Sequence, residues 1–321
     1  GSVPGTFGNL HRVVIYKDAA QTVTQLPPYS AYDSRNPEDL WAFMENYEKE
    51  TGGEILAIPH NANVSDGEMF PPNQYDGAPL TTAWAKTRSR WEPLYEVTQF
   101  KGDSETHPMN SPDDVFADFE TWTTWAGKTT DPEEVECCPN WDPEEQRRKK
   151  KAEYARSALK TGLEQHATLG VNPFKFGMIG STDAHTSFAT ADSDNFWGKF
   201  TVSNPSATRM FTRFHIASAV WQNPKQWETS ASGYAAVWAH ENTRDSIFAA
   251  MKRKEVYATT GPRMTVRFFG GWDFTSDDAQ RPDLAKIGYT QGVPMGSDLT
   301  NAPDNESPTF LIRAVKDPDG A

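Results

Sequence analysis

The sequence predicts an α/β chain whose strands run parallel and end, on one face, in polar residues of metal-ligand type. Three observations predict it. Apolar runs at 13–16, 54–59, 94–99 and 176–180, each bounded by glycine or polar residues, have the length of buried strands. Helical patterns stand between them, at 37–51 and 142–168. Helices between strands imply parallel strands, whose carboxyl ends share one face in α/β barrels and in open α/β sheets. Finally, His60, His107 and the pair Asp183/His185 each follow such a run.

The elements follow in order. Asn9-Leu-His11-Arg12 leads into the first strand, and a loop at 24–35 is rich in Pro, Tyr and Ser. The next helix has Asn36 as N-cap, Pro37 at its first position and Glu38 and Asp39 in its first turn. Leu40, Phe43, Met44 and Tyr47 form its apolar face, and Gly52-Gly53 stops it. The second strand runs into His60-Asn61, and residues 62–90 read as turns. The third strand opens into Lys101-Gly-Asp103-Ser-Glu105-Thr-His107-Pro, with a short helix expected from Ser111-Pro112.

Residues 121–141 read as an irregular loop with three tryptophans and the adjacent Cys137-Cys138. Asp142-Pro143-Glu-Glu opens the longest helix, with Tyr154, Ala155, Ala158, Leu159 and Leu163 as its stripe. Gly170 ends it, and the strand carrying Asp183-Ala-His185 follows. Residues 186–236 form a long segment with a helix expected near 213–221; a loop that long usually lies over a site. Asn242 is the expected cap of a helix reaching Arg253, and Tyr257 to Arg263 turns into a strand at 264–269. A last strand covers 309–316.

Composition narrows the function. Hydrophobic residues at 37% and charged residues at 23% make the chain globular. A net charge of -13 argues against nucleic acid and anionic membranes as partners. It permits an anionic substrate where metal ions or arginines reverse the local field. No stretch approaches the roughly 18 apolar residues of a membrane-spanning helix. Adjacent cysteines bridge only with strain, so Cys137 and Cys138 read as free thiols in a surface loop. The sequence has no P-loop and no G-x-G-x-x-G for nucleotides, and no G-x-S-x-G for a serine hydrolase.

In an extended backbone residues i and i+2 share a side, so Asp183 and His185 are expected to project together. With His60 and His107 they make three imidazoles and a carboxylate, a set suited to Zn²⁺, Mn²⁺ or Fe²⁺. A single His after a strand is more often a capping residue; the coincidence of three carries the metal reading. Arg244, in a helix's first turn, and Arg263, after Gly-Pro, are candidates to hold a phosphate or sulfate oxygen. The competing role for each is a structural ion pair. Glu105 is a candidate ligand or an orienting partner of His107, and Asn61 stands beside His60 in the same capacity.

Four ordered motifs carry a resemblance. They are Ile58-Pro-His60-Asn61-Ala-Asn63-Val-Ser65, Gln99-Phe-Lys101-Gly-Asp-Ser-Glu105-Thr-His107-Pro, Gly180-Ser-Thr-Asp183-Ala-His185-Thr, and Thr243-Arg244 with Tyr257-Ala-Thr-Thr-Gly-Pro-Arg263. From about residue 5 onward the chain resembles the family catalogued as domain of unknown function 3604, within the polymerase-and-histidinol-phosphatase (PHP) superfamily. The resemblance implies a distorted, incomplete (β/α)7 barrel over 1–270 and the start of a β-rich C-terminal extension over 271–321. It implies two or three divalent metals in the intact protein and hydrolysis of phosphate or sulfate esters. His60, His107, Asp183 and His185 match the later metal ligands of the pattern, and His11 falls near the site by family order, beside Arg244 and Arg263 as a candidate catalytic group.

The pattern's early His-x-His is absent from these residues. The chain therefore reads as a fragment lacking that segment, holding at most one metal and hydrolysing esters about a hundredfold more slowly than the intact protein, the scale of losing a main electrostatic element. The expected partner is a small-molecule phosphate or sulfate ester, with self-association through an exposed sheet edge. A periplasmic or secreted setting is the expectation. The alternative is a non-catalytic ligand- or partner-binding module with a degenerate metal site.

Overall fold

The structure is a computed structural model that describes residues 8–122, 124–125, 128–129, 142–192, 194–200, 203–213, 225–229 and 233–319. Cys137, Cys138 and, but for Arg213, the helix expected near 213–221 lie outside the described residues.

Two buried strands set the frame. Ile55–Pro59 and Leu94–Gln99 are buried at every position, as in strands covered on both faces. Their side chains alternate between two cores. Ile55, Ala57, Tyr95 and Val97 face a helix-covered core with Trp41, Met44, Tyr47, Trp84, Ala155 and Phe174. Leu56, Ile58 and Leu94 face a second core with Ile179, Phe248 and Val256. The next residues with that second parity are His60 and Glu96, so a polar layer continues the apolar face toward the strand ends.

Leu94–Gln99 pairs in parallel with Gly177–Gly180, with an irregularity between Glu96 and Thr98. Arg12–Tyr16, in contrast, pairs antiparallel with Ile55–Pro59, Tyr16 opposite Ile55. A helix between these two strands therefore did not make them parallel. The reason is that residues 17–54 return to the end of the sheet they left. Lys17 N–H donates to the Glu54 carbonyl at 3.0 Å, Lys17 pairs with the Glu54 carboxylate, and Asp18 accepts from Tyr47 at 3.0 Å and from Glu54 N–H at 2.8 Å.

Pro37–Thr51 forms as its signals require. Asn36 accepts from Glu38 N–H at 2.9 Å, and Gly52 ends the helix at φ 68°. Trp41 joins Met44 and Tyr47 on the fully buried face. The segment read as turns contains the helix Thr82–Trp91, capped by Thr81. The expected long helix is two, Pro143–Lys151 and Ala155–Leu169. Tyr154 is extended between them and, with Glu153, turns into the core, where Glu153 pairs with Lys150 at 2.5 Å. Leu163 is consequently exposed, while Gly162 packs against Asn172.

Residues 111–120 make turns in place of the expected short helix. Thr243, not Asn242, caps the helix Arg244–Lys252 through Ser246 N–H. Tyr234–Val237 pairs antiparallel with Val256–Thr259. A three-stranded antiparallel sheet of Gly292–Pro294, Thr265–Gly271 and Thr309–Val315 closes the chain. Helix Leu284–Gln291 covers one of its faces with a core of Phe269, Phe274, Leu284, Ile287 and Leu311. No helix among the described residues is long and apolar enough to cross a membrane.

Candidate functional site

The polar layer above the second core gathers three strand ends. Glu96, in the middle of its strand, accepts from His60 Nδ1 at 2.7 Å and from the Ser181 hydroxyl. The other ring nitrogen, Nε2, faces Asp183 Oδ1 at 3.4 Å. His60 and Glu96 are buried, and the Asp183 side chain is only 7% exposed. A neutral imidazole donating to Glu96 would point its Nε2 lone pair at a carboxylate. Two acceptors at this separation are compatible only with a proton or a cation between them. Burial pushes the His60 pKa down, but Glu96 and Asp183 outweigh it and raise it.

Asp183 is held by three cationic groups. Lys101 and Lys199 both bring their ammonium groups to Oδ2, while His60 faces Oδ1. Burial opposes ionisation, but His60, Lys101 and Lys199 keep the carboxyl far below the ordinary carboxylate range. Burial, followed by the charge of Lys101, lowers Lys199 to about 8. Its ammonium also lies 5.9 Å from the Phe100 ring centroid and 5.4 Å from that of Phe200.

Local backbone aims these groups. Asp183 sits at φ 50° and Asn61 at φ 63°, left-handed conformations that a residue with a Cβ adopts at a cost of about 1–2 kcal/mol. Asp183 is thus turned inward, while His185 reaches the surface with a side chain 52% exposed. The two do not project together as in an extended strand, yet they remain adjacent. His185 Nδ1 is 2.9 Å from the Asp183 carbonyl and 3.7 Å from its carboxylate. Donation to that carbonyl leaves Nε2 as the open lone pair.

Asn61 accepts from the Gln99 amide, whose oxygen accepts from Lys101 N–H at 2.8 Å, and Asn63 donates to the Lys101 carbonyl at 2.9 Å. This set of bonds orients the Lys101 loop. His11 joins from just before the first strand, its ring stacked on His60 at 6.2 Å and 15°.

The remaining sequence candidates have other partners. His107 is buried, packs against Tyr154 at 5.4 Å and accepts from Met109 N–H at 3.1 Å, with Nε2 unpartnered. Burial and then Lys150 lower its pKa to about 3. Glu105 turns to Arg156 at 2.7 Å instead of to His107. Arg244 is exposed at the start of its helix. Arg263 pairs with Asp192 at 3.1 Å and lies 5.7 Å from the Tyr234 ring centroid.

Sequence reasoning missed Glu96, Ser181, Lys101 and Lys199. Glu96 left a signal, a lone carboxylate at the Leu94 parity of an otherwise uncharged buried strand. Lys101 followed the same strand directly. Lys199 left none, because its approach to Asp183 is made by the long segment after the motif.

Donor chemistry fits a divalent cation in kind. His60 Nε2, Asp183 and the open His185 Nε2 are nitrogen and oxygen ligands, and the Glu96–His60 bond is the usual support of a metal-binding imidazole. In number the fit is short. Among the described residues no three His, Cys, Asp or Glu side chains converge as a metal requires.

A mixed α/β chain with a buried, cation-rich carboxylate at its strand ends is the class these observations define. The family model for the protein of unknown function DUF3604 matches residues 2–321, and the chain belongs to that family. No curated protein and no solved structure matches the chain.

Proposed function

We propose that this protein is a hydrolase of phosphate or sulfate esters, assisted by a divalent metal, within the PHP superfamily and with its barrel architecture. The observation supporting this most directly is the Asp183 carboxylate, ionised in a buried position and ringed by Lys101, Lys199 and His60. Such a site favours ligands that bring several anionic oxygens.

His60 Nε2 and Asp183 would be donors to the metal, with His185 beside them, and a bound metal would supply a water acidic enough to attack at neutral pH. Lys101 and Lys199 bind the ester's charged oxygens, with the Lys199 ammonium set beside the Phe100 and Phe200 rings. Glu96 holds the His60 ring in orientation from below. On this reading His107 plays a structural part. A second reading, a non-catalytic anion-binding module, draws on the neutralisation of Asp183 by two lysines.

The test is metal analysis after equilibration with Zn²⁺ or Mn²⁺, followed by turnover of aryl phosphates, phosphodiesters and aryl sulfates. Bound metal with turnover that Asp183→Asn abolishes supports the hydrolase. Phosphate binding with neither metal nor turnover supports the module.

A further inference from the structure

The segment after the Asp-x-His motif climbs away from the site as a ladder. His185 N–H donates to the Lys199 carbonyl at 2.9 Å, at the rung adjoining the Asp183–Lys199 pair. The next rung outward is Phe188 stacked on Trp197, with ring centroids 4.6 Å apart and 23° between planes. Beyond it Ala191 pairs with Phe196 and Asp192 with Asn195, closing a short hairpin. Arg209 lies 4.9 Å from the Phe196 ring, and Arg263 holds Asp192 at 3.1 Å. The hairpin is thus anchored at its tip and at its base.

Phe188 is 55% exposed and Trp197 38% exposed. Trp197 stands two residues before Lys199, about 7 Å along an extended chain. The Trp197 indole N–H donates to Asn195 at 3.2 Å, so its polar edge is satisfied and the exposed surface is apolar ring. An exposed aromatic pair alone is often only loop packing. Here it stands on an anchored arm, one rung from paired lysines suited to an ester's charged oxygens.

We propose that Phe188 and Trp197 form the subsite for the organic group of the ester, selecting substrates with a flat apolar ring face over linear ones. The inference rests on the anion-site reading above. The ring is that of an aromatic group or of a sugar, since both present a flat C–H or π face.

Calorimetric titration with inorganic phosphate, methylphosphonate, benzylphosphonate and glucose 1-phosphate tests it without relying on turnover. At least one ring compound is expected to bind roughly tenfold more tightly than methylphosphonate, and the two ring probes separate an aromatic from a sugar source. Phe188→Ala and Trp197→Leu are expected to erase that advantage while leaving methylphosphonate affinity unchanged, with melting temperature checking the fold of each. Trp197→Leu retains apolar bulk and removes the flat face. Ring compounds no tighter than methylphosphonate, or a ring advantage that survives both substitutions, overturn this inference alone. If both variants melt as the wild type does and lose all probes equally, the pair does not act as a subsite and the inference also falls. If no probe binds the wild type, the anion site itself is wrong and this inference goes with it.

Discussion

Asp183 balances more charge than any other side chain of the site, and the balance is unequal. Two ammonium groups and an imidazole share one carboxylate. Asp183→Ala leaves Lys101 and Lys199 buried without that counter-charge, while His60 keeps Glu96, and an unfolding cost of about 3–5 kcal/mol is expected. Lys101→Met leaves Asp183 with Lys199, so a smaller loss is expected there. Urea titrations of both variants check the order, and equal losses would refute the assignment of Asp183 as the shared partner. Asp103 makes a separate prediction about pH. Burial raises its pKa from 3.8 to about 7, against bonds from Glu105 and Thr106 N–H groups. The folded state therefore holds a proton that the unfolded chain has released. The stability this contributes is full below pH 3.8 and is lost as pH rises through about 7. Melting temperatures of wild type and Asp103→Asn between pH 4 and 8 should show the wild type falling relative to the variant; parallel curves would refute it.

At the scale of elements, Glu92 joins three of them. It accepts from Arg12 at 2.9 Å in the first strand and from the Trp41 indole at 3.0 Å in helix Pro37–Thr51, and it pairs with Arg88 at 3.2 Å in helix Thr82–Trp91. All four side chains are enclosed, and the removal of Glu92 strands two guanidinium groups. Glu92→Ala is expected to cost about 3–5 kcal/mol, measured by chemical denaturation. Gly180 joins the strands beneath the site. A Cβ there would lie 2.8 Å from the Tyr234 carbonyl and 2.9 Å from that of Thr259, both backbone atoms. Gly180→Ala is therefore expected to cost about 1–3 kcal/mol and to weaken phosphate binding by displacing Ser181 and Asp183. Calorimetry on the purified variant reads both effects.

For the whole molecule, the first strand sets the prediction. Arg12–Tyr16 pairs on one side with Ile55–Pro59, and among the described residues no strand pairs with its other side. Val13 is 47% exposed on it. An open edge invites pairing between copies. Sedimentation velocity should show association that rises with concentration and that Val13→Lys suppresses; a monomer throughout would exclude it. The third strand, the parallel partner at 177–180 and the capped helix at 37–51 were legible beforehand, because glycines, caps and apolar runs act locally. The break at Tyr154 was not, because the burial of Glu153 and Tyr154 against Lys150 and His107 outweighs the helical tendency of the sequence on either side.

By itself the sequence determined that apolar strands end in His60 and in the Asp183–His185 pair, and it identified the DUF3604 family through ordered motifs. These are short-range facts, written in spacing and residue type. Only the tertiary structure decided which charges meet. It brought Glu96 under His60, placed Lys101 and Lys199 together on Asp183, and gave His107 partners outside that group. The physical reason is that a buried carboxylate must find counter-charges in space. Those counter-charges come from a strand end and from an arm of the chain whose separations in sequence carry no period to read.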